Sequence, residues 1–309
     1  MYETIIIGGG PAAVAAGVYA ARKQIKTALF ASQIGGQSVV SDGIENWIGE
    51  EVISGPDLAI KLKKHLESQK DNIDLHIGKT VDKVNKKEDG TFEVVVGEDI
   101  YETKTVLVCS GGRHRRLGVP GESDFEGRGV AYCATCDAPF YKDKDVAVVG
   151  GGNSGLEAIV DLLKYANKIY LIARKPEGEL RGDPITQEQV LNSDKVEVIY
   201  ESNALAIVGE TMVTGLKYKK NDSDEEHEIA VQGIFVEIGS VPNSEIVGEF
   251  VDTDDWNNIK VNFENQETSC PGVFAAGDVT NSVYRQNNIA VGDAIKALLS
   301  AHEYLKKNQ

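Results

Sequence analysis

Apolar and polar positions sort the chain into strand, glycine loop and helix from its first residues. Tyr2–Ile7 is an apolar run of strand length, and the alanine-rich Pro11–Ala21 predicts a helix packed closely on a sheet. Lys26–Ala31 reads as a second strand. A helix is expected over Pro56–Gln69, where proline suits the first turn and Leu58, Ile60, Leu62 and Leu66 give partial amphipathic spacing. Between Asp74 and Leu107 the period falls to two, with a turn at Glu88-Asp89-Gly90, and Thr105–Cys109 reads as a buried strand.

Polar, turn-rich sequence then intervenes at Gly111–Arg116 and Val119-Pro120-Gly121. Beyond it the pattern restarts with strand Asp145–Val149, a glycine loop, helix Leu156–Ala166 and strand Lys168–Ala173. A second crossing is expected near Gly239-Ser240-Val241-Pro242-Asn243, and a helix over Ala290–Lys306 closes the sequence. Two such starts predict an α/β protein with two Rossmann-like nucleotide-binding domains. One is discontinuous, over residues 1–113 and 239–309, and residues 114–238 are inserted into it.

Both glycine loops fit G-x-G-x-x-G/A: Gly8, Gly10 and Ala13 in the first, Gly150, Gly152 and Gly155 in the second. The first glycine permits the tight turn, the second lets a pyrophosphate approach the backbone, and the third small residue lets helix and strand pack closely. At the end of the first unit's second strand, where an acid commonly binds a ribose hydroxyl, stands Gln33, which can bond a hydroxyl less strongly than a carboxylate. The corresponding strand of the second unit ends Ala173-Arg174-Lys175. Two cations there suit a 2′-phosphate, as NADP requires, or are solvated loop charges.

The composition, 41% hydrophobic and 26% charged, is that of an ordinary globular protein. A net charge of -16 argues against nucleic acid or an anionic membrane as partner. No apolar run reaches the ~20 residues of a membrane span, and Met1–Thr4 has no basic leader, so a cytoplasmic location is expected. Four cysteines are too few for a disulfide scaffold, and Cys109 and Cys270 read as small apolar residues. Cys133 and Cys136 form a C-x-x-C pair fourteen positions before the second glycine loop. Such a pair stores two electrons by closing and reopening a disulfide ring; zinc would need two further ligands at suitable spacing, and none is evident.

Together these segments resemble the low-molecular-weight thioredoxin reductases, and also the flavoprotein part of bacterial alkyl hydroperoxide reductase. The likeness runs nearly end to end and includes Cys133-x-x-Cys136-Asp137, Gly35-Gly36-Gln37, Glu45-Asn46, Cys109-Ser110-Gly111-Gly112, Pro120-Gly121-Glu122, Gly277-Asp278 and Arg285-Gln286. It implies a homodimeric, flavin-dependent disulfide reductase. FAD would lie on Gly8, Gly10, Pro11, Ala12 and Ala13, with Gln33, Gly36, Gln37 and Gly111 nearby. Gly277 and Asp278 would hold its ribityl and phosphate region, and Asn46, Arg285 and Gln286 would sit near the isoalloxazine. A pyridine nucleotide would lie on Gly150, Gly152, Asn153, Ser154, Gly155, Arg174 and Lys175.

By the same resemblance Cys136 faces the flavin, Cys133 attacks the partner disulfide, and Asp137 is the acid that protonates a thiolate. The inserted domain would then rotate on the two crossings to let nicotinamide and dithiol take turns at the flavin. NADPH-using members end the second strand His-Arg-Arg with another arginine four residues later; here Ala173-Arg174-Lys175 is followed by Glu179. The glutamate that the peroxide-reductase flavoproteins place at Ala173 is missing too. NADPH is the expected donor, with NADH or ferredoxin as alternatives. Because the chain begins at the first strand, the N-terminal thiol relay of the peroxide-reductase flavoproteins is expected to be absent. The partner would be a separate thioredoxin or glutaredoxin-like carrier, or a peroxiredoxin system, docking near Arg113, Arg115 and Arg116. A flavoprotein redox sensor, with the dithiol as a slow switch, is the alternative of another class.

Overall fold

The computed structural model describes residues 1–41 and 43–308; Asp42 and Gln309, each within the expected discontinuous domain, lie outside them. The chain forms two compact units, one of residues 1–39, 47–113 and 241–309, the other of residues 40–46 and 114–240.

The first unit opens with β1 (Tyr2–Ile7), α1 (Pro11–Arg22) and β2 (Thr27–Ala31), followed by α2 (Gly55–Glu67). Then come β3 (Asp74–Ile77), β4 (Lys83–Lys86), β5 (Phe92–Val96) and β6 (Asp99–Val108). These strands lie in the order β3-β2-β1-β6-β5-β4, parallel from β3 to β6 and antiparallel beyond. The period-two pattern explains the two cores. Ile6 and Leu29 point into a cluster with the alanines of α1, while Ile5, Ile7, Ala28 and Phe30 point into a second cluster with Phe92, Val106 and Val108. In α2, Leu58 and Leu66 are buried and Leu62 packs beside the core, but Ile60 is 63% exposed. Ser54 caps this helix, its Oγ accepting the Asp57 N–H at 3.1 Å.

After β7 (Gly112–His114) the second unit runs β8 (Val130–Ala131), α3 (Ala134–Asp137), β9 (Asp145–Val149), α4 (Asn153–Leu162) and β10 (Lys168–Ile172). It continues through α5 (Pro184–Leu191), β11 (Val196–Ile199), β12 (Ser202–Gly209), β13 (Val213–Lys220), β14 (Glu226–Ala230) and β15 (Gly233–Val236). Its parallel sheet has the order β11-β10-β9-β15-β8, and β12-β13-β14 form a separate antiparallel sheet. α4 begins and ends earlier than the apolar pattern suggests. The Lys195 ammonium donates to the carbonyls of Leu163 and Ala166, at 3.1 and 2.8 Å, and closes the chain after Leu162.

The return crossing, β16 (Ser240–Pro242), pairs with β7. β17 (Val273–Ala275) then adds to β6, and α6 (Asn287–Lys307) lies against α1 through buried alanines on both helices. Small side chains let the two helices approach closely. Among the described residues no helix is long and apolar enough to cross a membrane.

Candidate active site

The two glycine loops have the same construction. Gly8 and Gly150 have φ of 133° and 134°, open to glycine and strained for other residues. Their N–H groups donate to the ends of the neighbouring strands, Gly8 to Phe30 O at 2.9 Å and Gly150 to Ile172 O at 3.1 Å. A Cβ on Gly8 would stand 2.1 Å from the Cys109 carbonyl oxygen, and one on Gly150 2.2 Å from that of Glu237. At Gly155 a Cβ would meet Gly150 O at 1.8 Å, so this glycine is what lets α4 pack on the loop.

The middle glycines are different. Beside Gly10 the nearest atom to an added Cβ is Gly36 Cα at 3.8 Å, and beside Gly152 it is Arg181 O at 3.7 Å. Each is the N-cap of its helix with no side-chain cap and no acid in the first turn. Open backbone at an uncapped helix start, with free N–H donors, fits the phosphates of a dinucleotide.

Several of the sequence-predicted residues gather at the first loop. Gly9 packs on the Gln33 carbonyl, and Gly35 N–H donates to Gly9 O at 2.8 Å, which brings Gly36 and Gln37 alongside. Pro11, Ala12 and Ala13 are buried in the first turn of α1. Gly277, at φ 77°, fits between α1 and α6, where a Cβ would lie 3.5 Å from Ala12 Cβ and 3.3 Å from Ala290 Cβ. Asp278 follows it, its carboxyl pushed up by burial and pulled down by the Arg285 charge. Arg285 also donates to Asn258 Oδ1 at 3.1 Å, and Gln286 is the N-cap of α6. Gly111, at φ 65°, follows β6. Asn46 lies in the segment of residues 40–46, which groups with the second unit.

At the second loop Asn153 Oδ1 accepts the Asp183 N–H at 2.9 Å, and Ser154 is exposed. Arg174 and Lys175 are exposed after β10, and Lys175 lies 3.7 Å from Glu179. Arg181 belongs to no motif that would mark it in the sequence, yet its N–H donates to Gly151 O at 2.9 Å, which sets it against the loop. Of the three arginines proposed for docking, Arg113 is bonded to Asn243 and Glu245, and Arg116 to Glu126 and Tyr132; only Arg115 keeps its charge unpaired among the described residues.

Cys133 and Cys136 are joined as a disulfide, with Cα atoms 5.3 Å apart. Cys133 is the N-cap of α3, and its carbonyl accepts the N–H groups of Cys136 and Asp137 at 3.2 and 3.0 Å. Ala134 and Ala138 are buried beneath the turn, and Thr135 Oγ1 donates to Asp161 of α4 at 3.0 Å. Tyr132, just before the pair, is held by Glu122 Oε1 at 3.0 Å and stacks on His114. Burial of Cys109 pushes its thiol far up, and Cys270 is also buried, so neither competes as a nucleophile with the pair, which is only half-buried.

The pyridine nucleotide-disulphide oxidoreductase family model matches residues 2–294. Among curated relatives, an alkyl hydroperoxide reductase subunit of Pseudomonas putida is 41% identical over 98% of this chain and 58% of its own length. NADH dehydrogenase of Bacillus subtilis is 38% identical over 99% of this chain and 59% of its own. The chain thus spans about three fifths of the length of the curated relatives it matches. Among solved structures, thioredoxin reductase from Streptococcus pyogenes superposes with a TM-score of 0.90 at 35% identity, covering 99% of both chains.

Proposed function

From the premise that this chain belongs to the pyridine nucleotide-disulphide oxidoreductases, we propose that it is a thioredoxin-disulfide reductase, taking electrons from NADPH and passing them through FAD and Cys133–Cys136 to a thioredoxin-like carrier. The observation that carries this reading is a disulfide set one strand away from a dinucleotide-type loop in the same sheet: β8 leads into Cys133, β9 into Gly150, and β15 lies between them. A second dinucleotide-type loop stands in the other unit. The family brings a flavin and a pyridine nucleotide. FAD fits the loop at Gly10, with Gly277, Asp278, Arg285 and Gln286 about it, and the nucleotide fits the loop at Gly152. Bound FAD supplies two-electron transfer between a hydride donor and a disulfide.

The chain's own residues do the rest. Two electrons open the Cys133–Cys136 bond, and Asp137 delivers a proton to one sulfur. The Cys133 thiolate attacks one sulfur of the carrier disulfide, forming a mixed disulfide and releasing the carrier's other sulfur as thiolate. Cys136 then attacks Cys133, which restores the internal disulfide and frees the second carrier thiol. In sum the carrier gains two electrons and two protons, one that Asp137 placed on the dithiol and Cys136 releases as it attacks, and one taken from water.

Anaerobic titration of the flavin spectrum with NADPH, NADH and reduced ferredoxin, followed by turnover with a thioredoxin, tests the reading. Fast bleaching by NADPH and carrier reduction are expected; bleaching by ferredoxin alone, or no carrier turnover, overturns it. Glu179 beside Lys175 favours a second reading in which NADH is the donor, since an acid there would repel a 2′-phosphate. The name of the Bacillus subtilis relative fits that reading, and that of the Pseudomonas putida relative fits a carrier of the peroxiredoxin type.

A further inference from the structure

Glu237 has no part in the chemistry above, yet the sheet delivers it to the dithiol. β8 and β15 run parallel with Val130 opposite Ile234 and Ala131 opposite Phe235, and two residues further on stand Cys133 and Glu237. The register brings Glu237 beside the peptide that Cys133 forms with Ala134, the first residue of α3, and the Ala134 amide acts to lower the proton affinity of the Glu237 carboxyl. Its backbone is fixed from the other side, its N–H donating to Val149 O at 2.9 Å and its carbonyl seated against Gly150. In the first unit the equivalent place, against Gly8, belongs to the carbonyl of Cys109, a buried apolar side chain. An acid here therefore serves no need of the glycine turn.

Among the described residues, the charged groups that act on Glu237 are Glu157 and Asp161 of α4 and Asp137 of α3, all acids. Asp161 is itself bonded to Thr135 and lies 4.0 Å from Lys164. Burial is the main cause that pushes the carboxyl up, to about 8; the Ala134 amide opposes it and the three acids add to it.

We propose that Glu237 is a positioning residue for the Cys133–Cys136 pair: it anchors the peptide that carries Cys133, and by gaining or losing its proton it sets the proton affinity of the reduced sulfurs. Near neutrality the carboxyl is mostly neutral and accepts the amide through its carbonyl oxygen. Above its own titration it is an anion, and a thiolate forming close by meets a second negative charge. The effect is reciprocal, because charge on the sulfurs holds the proton on Glu237 to higher pH. An external dithiol reduces the pair with two electrons and two protons, giving two thiols and an oxidised reagent. The loss of one of those protons is the step that Glu237 governs. This rests on the exchange chemistry of the dithiol alone, and neither donor nor carrier enters it.

The holoprotein and its E237Q variant, reduced anaerobically with dithiothreitol and freed of it, are alkylated with iodoacetamide over about pH 6 to 10, and the Cys133 and Cys136 peptides are counted by mass spectrometry. The wild-type profile is expected to show a second inflection around pH 8. E237Q keeps an acceptor for Ala134, should lose that inflection, and should titrate its thiol about half a unit to one unit lower. Superimposable profiles overturn the proposal. So does a wild-type profile with a single titration, a result that needs no variant to fold. If carrier turnover fails while the E237Q shift persists, the function reading falls and this one stands; turnover without the shift is the reverse.

Discussion

Gly8 and Gly10 stand two residues apart and differ in what a methyl group would do. At Gly8 the φ of 133° and the Cys109 carbonyl leave no room. Gly8→Ala should cost about 3 kcal/mol or more, seen as a lowered denaturant midpoint of the apoprotein. At Gly10, with φ of -75° and open space beyond it, Gly10→Ala should leave apoprotein stability nearly unchanged and weaken FAD binding, measured by fluorescence titration. Equal effects of the two substitutions on stability would refute the cradle. Asp137→Asn should lower kcat about 100- to 10,000-fold with FAD binding retained, the range for loss of a general acid. Cys136→Ser should still accept hydride and fail to turn over carrier. The glycines and the cysteine pair were legible in local spacing, and Asp137 was marked by the family resemblance. Glu237 was not legible: Phe235-Val236-Glu237-Ile238 looks like any strand end, and the role proposed for it comes from strand register with a segment far away in the chain.

At the level of elements, the sequence was most informative where one face of a strand or helix is buried. Ile5, Ile6 and Ile7 alternate between two cores as period two requires, and the alanines of α1 pack as expected of a helix pressed on its neighbours. Helix ends were less legible. The apolar pattern starts α4 at Leu156, whereas the helix starts at Asn153, since an uncapped glycine start carries no apolar signal. Its C-terminal end depends on Lys195, which no local pattern can foresee. The cap of α2 gives a plain test: Ser54→Ala should lower stability by about 1 kcal/mol. Glu237 gives a pH-dependent one. Its carboxyl is raised from 4.5 to about 8, so the folded unit keeps a proton that the unfolded chain releases. The stability it contributes is full below pH 4.5 and is lost as pH rises through about 8, and E237Q should flatten that slope.

For the whole molecule, two units with separate cores should unfold in separable steps. A ligand that binds only the folded form at about 100 times its Kd adds about 2.7 kcal/mol to the unit that holds it. Calorimetry of the apoprotein should therefore show FAD raising one transition and NADPH the other; a single transition moved by both would contradict the assignment of one dinucleotide to each unit. Removing the charges of Arg174 and Lys175 should weaken NADPH about tenfold or more and spare NADH. Equal losses for both would remove the case for a 2′-phosphate site there.

The order in which a ribosome releases these segments adds one consequence of the first unit's divided construction. β17 and α6 complete the core begun by β1 and α1, yet they are synthesised after the whole of the second unit. The stretch from His114 to Ser240 is nearly continuous and can close as soon as it emerges, while the opening segment waits with its apolar faces uncovered. The unit that carries the dithiol can thus close before the first unit's glycine loop has its full surroundings, and the nascent opening segment is where a chaperone would be needed.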